Sequence, residues 1–321
     1  MRSYFIKFLS FTIVLCGIIS CGGKDGSISK NIESSEIKRL IVTNSNAFEM
    51  LVGLGAADNI IATNDMARKS FIKEDKTWSS IGKWQSPNIE AIVNLKPDLI
   101  VSYQKWPDPV MFESKLAPFN IKVDRLDCYN MNEYHNDLNK LASYVGKSDR
   151  AAEMIKDFDS IVVMIKEAVS NVNVKKKVYL EFSDFTSMSK GTGNHEMLML
   201  ANVENIASDF PIQYPKISTE WLLNEKPDYI FKIITTDIIN REVYDRFVSR
   251  PGWDKLDAVK DKKVYLISSE ICSGPRAMIG SLYIAGICYP ELFDGQAADS
   301  LHKFWLNKYY DVEYESEYLF H

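Results

Sequence analysis

Apolar positions along this chain gather in two kinds of stretch. Short runs, Leu99 to Val101 and Tyr229 to Ile234, read as buried parallel strands, and Lys177 to Phe182 and Lys263 to Ser268 continue the series. Between Ser148 and Val172 the apolar residues instead fall at Met154, Ile155, Phe158, Ile161, Val162, Ile165, Ala168 and Val169, the spacing of one helical face. Ser148 stands where an N-cap is expected, and Asp149 and Glu153 suit the positive end of the helix dipole. At 1.5 Å per residue, roughly 24 residues reach about 36 Å, long enough for a stiff strut between two lobes. A further helix is expected from about Arg276 to Cys288.

One pattern occurs twice. Asn88-Ile-Glu90-Ala-Ile-Val-Asn94-Leu-Lys96-Pro97-Asp98-Leu-Ile100-Val matches Ser218-Thr-Glu220-Trp-Leu-Leu-Asn224-Glu-Lys226-Pro227-Asp228-Tyr-Ile230-Phe without a gap. Each copy reads as a capped short helix, a proline stop and an apolar strand. A weaker echo pairs Glu49-Met50-Leu51 with Glu196-Met197-Leu198, each opening a helix after a strand. Two copies of one βα plan predict an α/β fold of two Rossmann-like lobes, residues 37–147 and 174–321, joined by one long helix over 148–173.

The first residues read as an address. Arg2 and Lys7 form a charged start, and Phe8 to Ile19 form an apolar stretch too short for the ~18 residues of a spanning helix. The sequence then runs Ile18-Ile19-Ser20-Cys21-Gly22, which resembles the bacterial lipobox. Residues 1–20 are therefore expected to be a signal peptide, Cys21 the lipidated residue, and 21–36 a polar tether. Two acyl chains on Cys21 meet the requirement for stable anchoring, which a single chain does not.

Composition narrows the function. A chain of 321 residues, 46% hydrophobic, can bury a large core, and a net charge of -5 without a basic block argues against a nucleic-acid partner. The densest basic run, Lys175-Lys176-Lys177, reads as a solvated turn. Cys128, Cys272 and Cys288 form no C-x-x-C and read as small buried hydrophobes. No H-E-x-x-H or G-x-S-x-G occurs, Gly191-Thr-Gly193-Asn-His-Glu196 lacks the third glycine of a dinucleotide loop, and the four histidines are scattered. An enzyme that processes a metal chelate and a surface scaffold lipoprotein are the rival classes; turnover would mark the first, absence of saturable ligand binding the second.

Ligands of open α/β sheets sit beyond the carboxyl ends of the strands. In the first lobe that rule selects Asn46, Trp84, Gln85, Tyr103 and Trp106. In the second it selects Asp184 to Phe185, Gly191 to His195, Thr235, Thr236, and Ser273 to Arg276. Trp84 and Tyr103 offer flat faces to a planar ligand, and Arg276 a planar fork to carboxylates. His195 is a weak candidate as axial metal ligand. No cluster of His, Cys and carboxylates stands ready to wrap a bare metal ion.

Ile81-Gly-Lys-Trp84-Gln-Ser-Pro-Asn-Ile-Glu90, Leu95-Lys-Pro-Asp-Leu-Ile-Val101, Ser218-Thr-Glu220 and Lys226-Pro-Asp-Tyr-Ile230 together resemble the class III periplasmic binding proteins of iron-siderophore, haem and cobalamin importers. The resemblance runs from about Lys38 to the end of the chain. It implies a non-enzymatic, monomeric, extracytoplasmic solute-binding lipoprotein of an ABC importer, with a ligand cleft between the lobes and a metal chelate as cargo rather than a cofactor. It also implies that Glu90 and Glu220 dock into arginine pockets on a permease dimer. Ser273-Gly-Pro-Arg276 and the tyrosine-rich C-terminus resemble members for iron(III) complexes, siderophore or haem, the first expectation. Trp84-Gln85 with Asn88-Ile89-Glu90 resembles the cobalamin branch, the alternative.

Overall fold

Two parallel sheets carry the chain. The computed structural model describes residues 36–68, 77–234, 238–314 and 318–321. In the first sheet the order is Ser79–Ser80, Ile60–Thr63, Leu40–Val42, Leu99–Tyr103, Val123–Leu126, all parallel. In the second, Glu204–Asn205, Lys177–Ser183, Tyr229–Ile234 and Val264–Ser268 run parallel, and Leu319–Phe320 joins antiparallel at the edge. Leaving out Ser79–Ser80 and Leu319–Phe320, the four remaining strands of each sheet share one order, second, first, third, fourth along the chain. The direction of winding reverses between the first and third strands, and that is where a crevice opens at their carboxyl ends.

The sequence repeat has a local physical cause. Asn88 and Ser218 cap helices Ile89–Leu95 and Thr219–Glu225 by accepting from the backbone N–H of Ala91 and Trp221. Lys96 and Lys226 end those helices in the left-handed region, at φ 46° and 52°. Asp98 then accepts the backbone N–H of Arg39 at 3.0 Å, and Asp228 that of Lys177 at 2.7 Å. Each aspartate therefore fastens the incoming strand to the start of the first strand of its lobe. The lysine, proline and aspartate are structural punctuation.

The linking helix spans Ser148–Ala168, 21 residues, or about 31 Å. It is shorter than the periodicity suggests, because Val169 leaves helical geometry. Ser148 is its first residue rather than its cap. Lys147 holds the N-cap place with no side-chain bond, its N–H still tied to Ala142 in the preceding helix. Buried Ala151, Met154, Phe158, Ile161 and Ile165 form the predicted face. Phe158 stacks on Tyr134 of the first lobe, ring centroids 4.1 Å apart. The helix also packs against Gly193–Leu200 and Ala277–Cys288 of the second lobe.

A last helix, Ala297–Tyr310, crosses back. Lys308 binds Asp157 of the linking helix at 2.6 Å, and the Tyr309 hydroxyl donates to the same carboxylate at 2.7 Å. The helix also packs on Ser45–Gly53 in the first lobe. One core cluster accordingly takes Leu40, Val42, Leu99 and Val101 from one sheet and Val178, Leu180, Phe231 and Ile233 from the other. The alternate positions, Ile41 with Ile100 and Tyr179 with Ile230, fill separate outer cores. Cys128, Cys272 and Cys288 are buried free thiols, and burial raises the pKa of each.

Candidate cleft between the lobes

The first-lobe wall is built from strand ends. Asn44 caps the Ser45–Gly53 helix and also donates its amide to the carbonyls of Leu126 at 3.1 Å and Asp127 at 3.2 Å, which binds two strand ends together. The Ser45 N–H donates to the Tyr103 hydroxyl at 3.0 Å. Burial raises the Tyr103 pKa although the bond from Ser45 opposes it, so the phenol stays neutral. Trp84 sits at the tip of the hairpin Gly82–Lys83/Ser86–Pro87 and meets Tyr103 edge to face at 5.3 Å. Gln85 beside it is exposed, and Trp106 is 54% exposed past the end of the Leu99–Tyr103 strand.

Two of the contacts between the lobes are related by the internal repeat. Helix Ser45–Gly53 of the first lobe packs on the Gly274–Arg276 turn, which follows the fourth strand of the second. Helix Gly193–Leu200 of the second lobe packs on the Met131–Glu133 turn, which follows the fourth strand of the first. Both approaches need glycine. A Cβ on Gly193 would lie 2.7 Å from the Tyr129 carbonyl oxygen, and one on Gly274 would lie 2.8 Å from Asn46 Oδ1. Asn46 thus stands on the floor where the lobes meet, and the Tyr129 hydroxyl donates to Asn194 across it.

The second-lobe wall carries aromatics that the strand-end rule names only in part. Phe182, 52% exposed, tilts against Tyr214, 46% exposed, with ring centroids 6.2 Å apart. Phe182 and Tyr129 directly end or follow strands, so the rule could have found both. Tyr214 lies in an irregular loop without periodicity, and nothing in the sequence marked it. Lys232 interrupts the run Tyr229–Ile234 that reads as apolar. It is buried and paired with Glu181 at 2.9 Å. Arg250 completes this group, binding Glu181 at 2.8 Å and Asp184 at 2.9 Å beneath the Phe185 ring. The cations at this end of the sheet are therefore already matched by carboxylates.

Arg276 is placed differently from the expectation of an exposed fork. Its side chain is 1% exposed. Nε and Nη2 donate to the two Glu49 carboxylate oxygens at 2.7 and 3.2 Å, and Glu270 lies 3.4 Å away. Burial opposes its charge, but Glu49 and Glu270 outweigh that and hold its pKa above the ordinary value. The guanidinium belongs to the contact between the lobes. Thr235 lies outside the described residues, as do Thr236 and Cys21. His195 is half-buried with Nδ1 3.1 Å from the Asn205 amide, and burial first, then Lys190, lowers its pKa. Among the described residues no group of His, Cys, Asp and Glu could hold a metal ion.

Glu90 and Glu220 are both exposed, each in the first turn of its seven-residue helix. They occupy equivalent places in the two lobes.

A model of the periplasmic binding protein family matches residues 40–271. The chain belongs to that family. Its members are solute-binding proteins that act outside the cytoplasm with ABC permeases. Among relatives, a vitamin B12-binding protein of Pectobacterium carotovorum is 29% identical over 197 residues, covering 60% of this chain and 70% of its own. Molybdate-bound MolA of Haemophilus influenzae superposes with a TM-score of 0.75 at 21% identity, over 87% of this chain and 94% of its own. A TroA-like binding protein, FepB of Veillonella parvula, gives 0.73 at 19%, over 90% and 95%. These structures share the fold, two α/β lobes joined by a helix. Among the described residues of this binding protein, no helix is long and apolar enough to cross a membrane.

Proposed function

We propose that this binding protein captures cobalamin, or a closely similar bulky corrinoid, between its lobes and delivers it to an ABC permease. The observation that carries this reading is the Trp84–Tyr103 pair, a neutral aromatic face flanked by the amide of Gln85. Asn46 on the floor and exposed Phe182 and Tyr214 on the second lobe extend the same chemistry. A few fixed polar groups among aromatics suit a large ligand with a flat apolar body and amide edges. The vitamin B12-binding relative supports the same choice.

The residues that would suit an iron(III) complex are engaged within the fold. Arg276 is taken by Glu49, and Tyr309 and Tyr310 near the C-terminus are buried in the core. Lys232 and Arg250 are ion-paired, so an anionic chelate would have to displace a carboxylate to reach either. Isothermal titration with cyanocobalamin, haem and a panel of ferric siderophores decides between them. Saturable binding of cyanocobalamin alone is expected; binding of haem or a ferric siderophore in its place overturns the assignment.

The same reading gives Glu90 and Glu220 to permease docking, since matched charges on both lobes suit a symmetric dimer and set orientation and encounter rate. It also gives Cys21 to a lipid anchor, on the lipobox-like sequence that precedes it.

A further inference from the structure

The repeat that relates Glu49 to Glu196 makes the two contacts between the lobes comparable residue by residue. Both glutamates stand in the helix that follows the first strand of their lobe, and both reach the turn after the fourth strand of the other lobe. Their partners differ. Glu49 meets the Arg276 guanidinium through two charge-assisted hydrogen bonds, with the arginine almost wholly buried. Glu196 is held by uncharged donors, the Asn132 side-chain amide at 2.7 Å and the backbone of Asn132 and Met131, and Asn132 is exposed. Next to this second contact the Tyr129–Asn194 bond is likewise between uncharged groups.

The two contacts cannot be equally easy to open. Parting Glu49 from Arg276 strands opposite charges in a dry site, where neither regains full hydration. Parting Glu196 from Asn132 exposes an amide that already borders water, and solvent replaces the lost bond at little cost. The surroundings reinforce the difference. Lys308 and Tyr309 fasten the last helix to Asp157 of the linking helix, and that last helix packs on the one that holds Glu49.

We propose that Glu49 and Arg276 form the fixed pivot of the two lobes and that Glu196–Asn132 is the contact that yields, so the cleft widens from one side. In this arrangement Arg276 is a positioning residue: it touches no ligand and sets where Asn46 stands against Gly274. The inference concerns the lobes themselves and holds whichever chelate they carry.

Hydrogen–deuterium exchange on the ligand-free protein tests it through substitutions of opposite expected reach. Asn132→Ala should speed exchange at least tenfold in residues 129–134 and 193–197. Residues 45–50 and 274–278 should change less than twofold. Glu49→Gln should speed exchange in all four segments. Because Glu49→Gln risks misfolding, Asn132→Ala alone is decisive: if it loosens all four segments equally, or none, the pivot assignment is overturned. A Glu49→Gln protein that folds with its effect confined to residues 45–50 overturns it as well.

Discussion

Trp84 and Tyr103 meet edge to face across two different elements, a hairpin tip and the end of a central strand, with ring centroids 5.3 Å apart. The tyrosine is held from beneath by the Ser45 N–H, so the tryptophan rests on a fixed base. Trp84→Ala should weaken cyanocobalamin binding by about 1–3 kcal/mol, the range for an aromatic anchor in a desolvated pocket. Thermal stability should change little, because Trp84 is only half-buried. Titration calorimetry and a melting curve on one preparation check both parts.

Arg276→Ala should act on stability. It leaves the Glu49 carboxylate, 13% exposed, without its main partner in the contact between the lobes. Breaking a buried pair this way costs about 3–5 kcal/mol, measured by urea unfolding. Affinity for cyanocobalamin should survive wherever the variant is folded.

His302 gives the protein an acid limb of instability. The ring is fully buried beside Arg276, and burial first, then the guanidinium, lowers its pKa to about 2. In the unfolded chain it titrates near ~6.5, so below that pH the unfolded state holds a proton that the folded state refuses. This contribution to stability is complete above ~6.5 and is lost as pH falls toward 2, by at most about 1.4 kcal/mol per unit. Unfolding curves at pH 7.5, 6 and 5 should show the loss. A folded His302→Gln protein should show a shallower slope, and an identical slope would exclude the histidine as its source.

Glu90→Lys with Glu220→Lys should abolish uptake and permease ATPase stimulation. Ligand affinity should stay within about 0.5 kcal/mol of wild type, the usual range for distant surface changes. A comparable loss of affinity would move these glutamates into the ligand site.

Cys21→Ala should release the protein from the membrane with ligand binding intact. Intact mass of the wild-type protein should show acyl chains on Cys21 at the start of the mature chain.

The features legible in the sequence were those whose cause lies within a few residues. Asn88 and Pro97 declare a cap and a helix stop by local chemistry, so the repeat could be read without coordinates, whereas the Arg39 N–H that gives Asp98 its place comes from a distant strand. The buried face of the linking helix followed from its period. Arg276 defeated the same approach. Its position after Gly274-Pro275 looks like an exposed helix start, while the partner that decides its role is 227 residues away in the other lobe. Lys232 was legible in principle: a lysine inside an apolar run asks for a buried acid, and Glu181 supplies it.

The Ala297–Tyr310 helix has a consequence for how such a protein is made and inherited. It comes late in the chain, yet it covers helix Ser45–Gly53, which comes early. Domains generally fold in order of synthesis, but here the first lobe must wait for nearly the whole chain before its inner face is closed. By the same geometry, recombination between relatives that exchanged only the residues before the linking helix would separate a lobe from its own lid. A working chimera has to carry the last helix along with the first lobe.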